Sequence, residues 1–290
     1  MDTYLGRVHL TNLERIMYPS LKAPKKDVIE YYIRIAPGIL PFLAERALVM
    51  QRFPDGTGHP GFYEKDAPDG TPGWVTLFTS FSRSAGKEIR SVVSDSPDTL
   101  IWLANLAALE LNIPLARIDR PETPDMVFFD LDPEPPAEMT DAALIALSLQ
   151  ELLSDLGLIP FVKTSGKKGL HIVAPLVREY SFDETRNFVH AVGALLAKRS
   201  GTVVSEISRT HDPGTVFVDY LQNAPGKTMI CPYSLRATEY ATVSLPLAWS
   251  KLAKGVSPED FTIRTAISRE EDPWKDFFDK AERLPVVNND

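Results

Sequence analysis

The eight residues Met126-Val127-Phe128-Phe129-Asp130-Leu131-Asp132-Pro133 constrain this chain more than any other stretch. An unbroken apolar, β-favouring run passes into an Asp-x-Asp pair, and a proline closes it. A run of this kind between breakers predicts a buried strand. Side chains alternate across a strand, so Asp130 and Asp132 project from one face, about 7 Å apart along the chain. Two carboxylates that close repel each other unless a cation sits between them. Hard oxygen donors on a rigid element suit Mg²⁺ or Mn²⁺. A pair of solvated acids at a strand end fits the same eight residues, so the choice rests on what else converges on them.

Several segments carry matching chemistry. Residues 215–222 read as another strand, with Asp219 among β-branched and aromatic residues. A carboxylate there is costly unless paired or bound to a cation, which makes Asp219 the natural third partner. Residues 159–164 and 170–174 read as strands joined by Ser165-Gly166-Lys167-Lys168-Gly169. That turn can offer backbone N–H groups and cations to phosphate oxygens, and His171 opens the next strand as a further donor. The turn lacks the Walker A order, and an ordinary basic hairpin fits it too. Arg236 is a planar donor suited to a triphosphate, or one half of a surface ion pair.

The first third of the chain predicts strands over 47–53, 74–79 and 88–93, and a helix over 27–36. Residues 10–19 read as a short helical turn. Ser96-Pro97 is a strong helix start, and the apolar face that follows extends the expected helix to about 111. Phe62 and Tyr63 follow a glycine-rich turn, where exposed rings can stack on bases or simply fill a core. Asn12, Arg15, Lys25 and Lys26 could form a small anion pocket, although a solvated helix start explains them as well. Beyond the Asp-x-Asp strand, Thr140 is expected to cap a helix ending near 157, Ser181-Glu184 is a capping box for a helix to about 198, and 203–207 reads as a strand. The tail over 257–283 reads as polar helices. A polar connection over 117–125 marks the expected boundary between an N-terminal lobe, 1–120, and a catalytic lobe, 121–290, within one compact domain spanning 1–290.

A net charge of −8 argues against coating nucleic acid by bulk electrostatics, though not against focused basic pockets. The single cysteine, Cys231, rules out an internal disulfide framework and points to a reducing compartment. With no signal pattern at the start and no long apolar run, the expectation is a soluble, cytoplasmic protein without a membrane span.

Three segments taken in order carry a family resemblance: Phe-Asp-Leu-Asp-Pro at 129–133, Thr-Ser-Gly-Lys-Lys-Gly-Leu-His at 164–171, and Val-Phe-Val-Asp-Tyr-Leu-Gln-Asn at 216–223. Pro-Tyr-Ser-Leu-Arg at 232–236 follows them, and Leu-Thr-Asn at 10–12, Pro-Asp-Gly at 54–56 and Phe-Tyr-Glu-Lys at 62–65 precede them. The set resembles the primase-like polymerase domain of bacterial ligase D, in the archaeo-eukaryotic primase superfamily. The resemblance implies an α/β primase-polymerase fold, with an RNA-recognition-motif-like catalytic sheet packed against an N-terminal α/β lobe. It implies a template-directed nucleotidyl transferase that fills short gaps or extends broken ends in repair, uses two Mn²⁺ or Mg²⁺ ions and accepts ribonucleotides.

Carried onto this chain, the resemblance makes Asp130, Asp132 and Asp219 the metal-binding catalytic triad. Arg52, Phe62, Tyr63, Ser165, Lys168, His171, Gln222 and Arg236 become nucleotide-site residues, with Phe62 and Tyr63 stacking the base. Asn12, Arg15 and Lys26 become a pocket for a DNA 5′-phosphate. The implied partners are gapped or end DNA, NTP or dNTP, a Ku-type end-binding protein and a separate ligase, for a monomer associated with the nucleoid. Gln51, Asn112, the 210–213 stretch and Thr238 depart from the family by losing positive charge or a donor. The Lys-x-Asp-Gly ligase motif is absent, so a polymerase standing alone, or a polymerase domain expressed alone, is expected. Two alternatives remain. A haloacid-dehalogenase-type phosphatase would want Thr or Val where Glu134 stands. A catalytically weak DNA-end-binding module would have no need of three acids beside phosphate.

Overall fold

The stretch Met126–Pro133 is a strand, and it sits third in a six-stranded sheet. The order across that sheet is Val203–Val204, Val216–Asp219, Met126–Pro133, Leu170–Pro175, Phe161–Thr164 and Pro246–Leu247. All neighbours are antiparallel except the first pair. This computed structural model describes residues 3–82, 85–205, 212–267 and 272–285.

Met126, Val127, Phe128, Phe129 and Leu131 are all buried, as their unbroken apolar character requires. Each such side chain contributes roughly 1.5–3 kcal/mol on burial. Phe129 meets Phe188 of the helix Phe182–Arg199 edge to face at 6.4 Å. Odd-numbered residues of the strand therefore face the helices, and Phe128, Asp130 and Asp132 share the opposite face. The helix Phe182–Arg199 starts on the expected box: Ser181 Oγ accepts the Glu184 N–H, and the Glu184 carboxylate accepts the Ser181 N–H at 2.7 Å. The other helix is Met139–Asp155, capped by Glu138 in a box with Asp141 rather than by Thr140, which lies inside its first turn, and followed by Gly157 at φ +83°.

Two compact units divide the chain. The first comprises Met1–Pro114, Thr228–Ser244 and Phe261–Glu270; the second comprises Leu115–Lys227, Leu245–Asp260 and Glu271–Asp290. The first boundary falls close to the expected one, but a single cut into 1–120 and 121–290 does not describe the division. The chain returns to the first unit because Thr228–Ile230 pairs with Ala108–Pro114.

The first unit is built on a four-stranded antiparallel sheet in the order Thr228–Ile230, Ala108–Pro114, Val49–Arg52, Phe62–Glu64. A separate hairpin pairs Thr76–Ser82 with Lys87–Val93. The helix expected to reach 111 ends at Asn105, and Ala108–Pro114 is a strand instead. Ala107, at φ +59°, makes the break. The apolar run there is continuous, and periodicity alone does not separate a buried strand from a buried helix. The helix expected over 27–36 spans Lys25–Leu43 and carries Pro37 and Pro41 inside it. Residues Ile16–Tyr18 form a strand where a helical turn was expected, and the described tail holds 3₁₀ turns in place of helices. The strand expected over 203–207 covers Val203–Val204, its last two residues lying outside the described set. Among the described residues no helix is long and apolar enough to cross a membrane.

Candidate active site

In the second unit, pairing register brings the three aspartates together on one face of the sheet. Asp130 stands directly opposite Asp219 on the neighbouring strand, and Asp132 is two residues further along the same face. Adjacent strands lie about 4.8 Å apart, so three partly exposed carboxylates share a small patch.

Each acid is held differently. Asp130 Oδ1 lies 3.2 Å from His171 Nε2. Asp219 Oδ1 accepts the Leu221 N–H at 2.9 Å, and its Oδ2 accepts from the Gln222 amide at 2.7 Å. Those bonds cap the 3₁₀ turn Tyr220–Gln222, which ends the strand earlier than the sequence pattern predicts. The Asp132 carboxyl is pushed up to about 6 by burial, then by the charge of Asp130, with Asp219 and Glu134 adding to it and Lys168 opposing.

Two features fix this geometry from beneath. Asn223 is buried; its amide donates to Phe128 O at 2.6 Å and its carbonyl accepts the Phe128 N–H at 2.9 Å. It completes the backbone of the central strand where the neighbouring strand has ended, and thereby pins the turn after Asp219. Leaving those two buried groups unmet would cost about 1–3 kcal/mol each. Gly169 is the second feature. A Cβ there would lie 2.4 Å from Leu131 O and 3.2 Å from Asp132 Oδ1, so only glycine fits against the acidic strand.

The basic turn closes on itself. The Ser165 N–H donates to Gly169 O at 3.0 Å. Ser165 Oγ accepts from Lys167 N–H at 3.2 Å and Gly169 N–H at 3.1 Å. Ser165 is buried and Lys168 is exposed, so the serine ties the loop and the lysine presents its charge beside Asp132. His171 is buried too, with the Phe128 ring edge-on at 4.8 Å. Its Nε2 is directed at Asp130, where the sequence reading had a phosphate contact.

The remaining candidates lie in the first unit. Arg52 Nη1 pairs with Glu64 at 2.8 Å, its Nε donates to Leu106 O at 3.0 Å, and its guanidinium sits 5.4 Å from the Phe62 ring centroid. Phe62 and Tyr63 are 45% and 67% exposed on an edge strand. Arg236 makes a mostly buried ion pair with Glu110 at 3.3 Å, which replaces the surface salt bridge weighed from sequence.

Asn12 adopts φ +52°, and its carbonyl accepts the Arg15 N–H at 3.0 Å. Arg15 reaches Pro54 O at 2.7 Å and Asp55 at 2.8 Å, while Lys26 pairs with Glu14 at 3.2 Å. Lys25 is the buried member of this group; burial, and then the charge of Arg15, lowers it to about 8. Of the departures noted above, Asn112 donates to Val49 O at 3.3 Å and Thr238 bonds Thr242 at 2.8 Å, both structural roles. Residues 210 and 211 lie outside the described residues.

Among the described residues, no three His, Cys, Asp or Glu side chains form a ready-made metal cage. The carboxylates of Asp130 and Asp219 are engaged by His171 and Gln222 instead. The chemistry of the donor set still fits a hard divalent cation. Burial, and then the neighbouring acids, raise Asp132, and the three carboxylates stand on adjacent strands.

Residues 24–276 match the family model described as LigD, primase-polymerase domain. The chain belongs to the LigD primase-polymerase family. Membership makes it a DNA-directed nucleotidyl transferase. The bifunctional non-homologous end joining protein LigD of Bacillus subtilis is 34% identical over 279 residues, covering 94% of this chain and 44% of that protein. The multifunctional non-homologous end joining DNA repair protein LigD of Mycobacterium tuberculosis strain H37Rv is 34% identical over 255 residues, covering 85% of this chain and 33% of the relative. The chain thus spans less than half of the length of these relatives. A solved polymerase domain from M. tuberculosis ligase D, in complex with DNA, superposes with a TM-score of 0.86 at 31% identity, covering 95% of this chain and 99% of that one. The LigD primase-polymerase fold is the one that the ordered motifs had implied.

Proposed function

We propose that this chain is a template-directed polymerase that fills short gaps or extends broken DNA ends in non-homologous end joining, with ribonucleotides as well as deoxyribonucleotides as substrates. The observation that carries the reading is the facing pair Asp130 and Asp219 with Asp132 beside them. Like charges in that arrangement weaken a sheet and are explained by a cationic ligand.

In this reading Asp130, Asp132 and Asp219 hold two divalent ions, Mn²⁺ or Mg²⁺. When bound, such ions supply the charge that makes a primer 3′-OH nucleophilic and neutralises the departing pyrophosphate. The chain's own residues supply position and electrostatics, which phosphoryl-type transfer chiefly needs. Lys168 offers its ammonium to the triphosphate, and Gln222 keeps Asp219 oriented. Arg52 and Arg236, held by Glu64 and Glu110, offer guanidinium donors to the nucleotide, and Phe62 and Tyr63 offer rings to the bases. Asn12, Arg15 and Lys26, with Lys25, take the 5′-phosphate across a gap, which lets an acidic protein hold DNA by a few focused contacts. A Ku-type end-binding protein and a ligase would act on the same ends, on nucleoid DNA in the cytoplasm.

The test is extension on a duplex with a gap of one to a few nucleotides, with and without a 5′-phosphate, with Mn²⁺ and with NTPs compared with dNTPs. Templated addition that is enhanced by the phosphate and lost in Asp130→Ala is the expected result. Extension indifferent to the phosphate would remove the role given to Asn12, Arg15 and Lys26. No extension with any divalent metal would turn the reading to a DNA-end-binding module.

A further inference from the structure

The register across four adjacent strands places Lys163, His171, Asp130 and Asp219 in one transverse row. Lys163 is directly opposite His171, His171 opposite Asp130, and Asp130 opposite Asp219. Residues directly opposite one another project from the same face of a sheet, so the four side chains lie side by side.

We propose that Lys163 is a positioning residue that decides which nitrogen of His171 carries hydrogen, and that His171, so fixed, orients the carboxylate of Asp130. Lys163 Nζ lies 2.6 Å from His171 Nδ1, and His171 Nε2 lies 3.2 Å from Asp130 Oδ1. An ammonium has only hydrogens to give. A single hydrogen fits between Nζ and Nδ1, and an ammonium has no lone pair with which to accept one from the ring. The hydrogen therefore belongs to lysine, and Nδ1 accepts it. A neutral ring then carries its own hydrogen on Nε2, the nitrogen that faces Asp130. Which ring nitrogen bears the hydrogen is set by the bond that the other one makes.

Burial makes the arrangement tight. Lys163 is 0% exposed and His171 5% exposed, and Phe128 stands edge-on against the imidazole at 4.8 Å. An ammonium so deep needs compensating partners; the row supplies a neutral acceptor next to it and a carboxylate beyond. The hydrogen bond to Asp130 limits rotation of a carboxylate that a cation would otherwise have to order for itself. The functional consequence rests on the polymerase reading; the position of the hydrogen does not.

The first experiment uses the metal-free full chain, labelled with ¹⁵N-histidine, and long-range ¹H–¹⁵N correlation spectra. The chain has five histidines, and His171→Gln identifies the signal. The expected spectrum shows Nδ1 without hydrogen and Nε2 with it. Hydrogen on Nδ1, or on both nitrogens, overturns the proposal from the wild-type chain alone, whether or not any variant folds. Lys163→Met should then lose the fixed pattern, while Lys163→Arg, which restores a donor, should recover it. An unchanged spectrum in folded Lys163→Met also overturns the proposal. The second readout is Mn²⁺ binding followed by electron paramagnetic resonance, expected to weaken about tenfold in Lys163→Met and to recover in part in Lys163→Arg. Undiminished Mn²⁺ binding in Lys163→Met would remove the orienting role. A wild-type chain with the expected tautomer but no primer extension would count against the polymerase reading and leave the position of the hydrogen standing.

Discussion

Asp130 and Asp219 face each other across neighbouring antiparallel strands, two acids in register with no residue between them. Directly opposed like charges cost a sheet a few tenths to about 1 kcal/mol. Asp219→Asn removes one charge and keeps an acceptor for the Leu221 N–H, and the Gln222 amide can turn to meet the new side chain. The metal-free variant is therefore expected to melt no lower than wild type, while templated addition falls at least about a hundredfold. Thermal unfolding and gap-filling rates on the same preparation check both halves. Activity within a few fold of wild type would mean that Asp219 is no part of the catalytic set.

A second prediction concerns pH. Asp132 titrates at about 6 in the folded chain, against about 3.9 for an unfolded aspartate. Between those values the native state binds the proton more tightly, so Asp132 makes stability fall as pH rises from about 4 to about 6 and adds no further slope above that. Asp132→Asn should flatten this part of the pH–stability curve and raise the melting temperature of the metal-free chain at pH 7. Mn²⁺ competes with the proton and should raise the melting temperature more at pH 7 than at pH 5. Unfolding scans from pH 4 to pH 8 test this; an equal slope in Asp132→Asn would assign it to other groups.

Gly169 gives a steric prediction. A methyl group there meets the Leu131 carbonyl oxygen at 2.4 Å, and backbone cannot yield as a flexible side chain can. Gly169→Ala should destabilise the chain by about 1–3 kcal/mol and displace Asp132, reducing primer extension more than stability alone accounts for. Gly73→Ala is the control, because a Cβ at Gly73 meets nothing within 4 Å. A Gly169→Ala chain with normal melting and normal extension would show that the strand end relaxes freely.

The acidic centre was legible because strand alternation is a short-range rule. Given a strand over 126–133, Asp130 and Asp132 must share a face, and the embedded acid Asp219 asks for the same neighbour. The capping box at Ser181 was legible for the same reason. What escaped depends on partners far along the chain. The break at Ala107 sits inside an apolar run that reads equally as helix or strand. Lys163, within an apolar segment, gives no hint that its ammonium is buried against His171. Arg236 and Glu110 are 126 residues apart and find each other only through the fold. Ser165 and Gln222 carry family motifs, yet here they tie a loop and hold Asp219, work that a motif does not distinguish from ligand contact.

The aromatic pair offers a test that separates one base platform from two. Phe62 and Tyr63 are consecutive on an edge strand, so alternation sends their rings to opposite faces. Phe62 shares its face with its cross-strand partner Arg52 and with Glu64, which pairs with that arginine. The ring beside a cation suited to phosphate is the one expected to serve the incoming nucleotide. Stacking on a base contributes about 1–3 kcal/mol, so Phe62→Ala should raise the nucleotide KM between roughly fivefold and a hundredfold. Tyr63→Ala should act on DNA affinity and leave the nucleotide KM nearly unchanged. Both rings are largely exposed, so neither change should shift melting by more than a degree or two. Because the rings do different work, the double variant should show the sum of the single effects to within about 0.5 kcal/mol. Equal rises in nucleotide KM from both substitutions, with a double variant no worse than either, would mean that the two rings hold a single base, and that the edge strand twists enough on binding to bring them together.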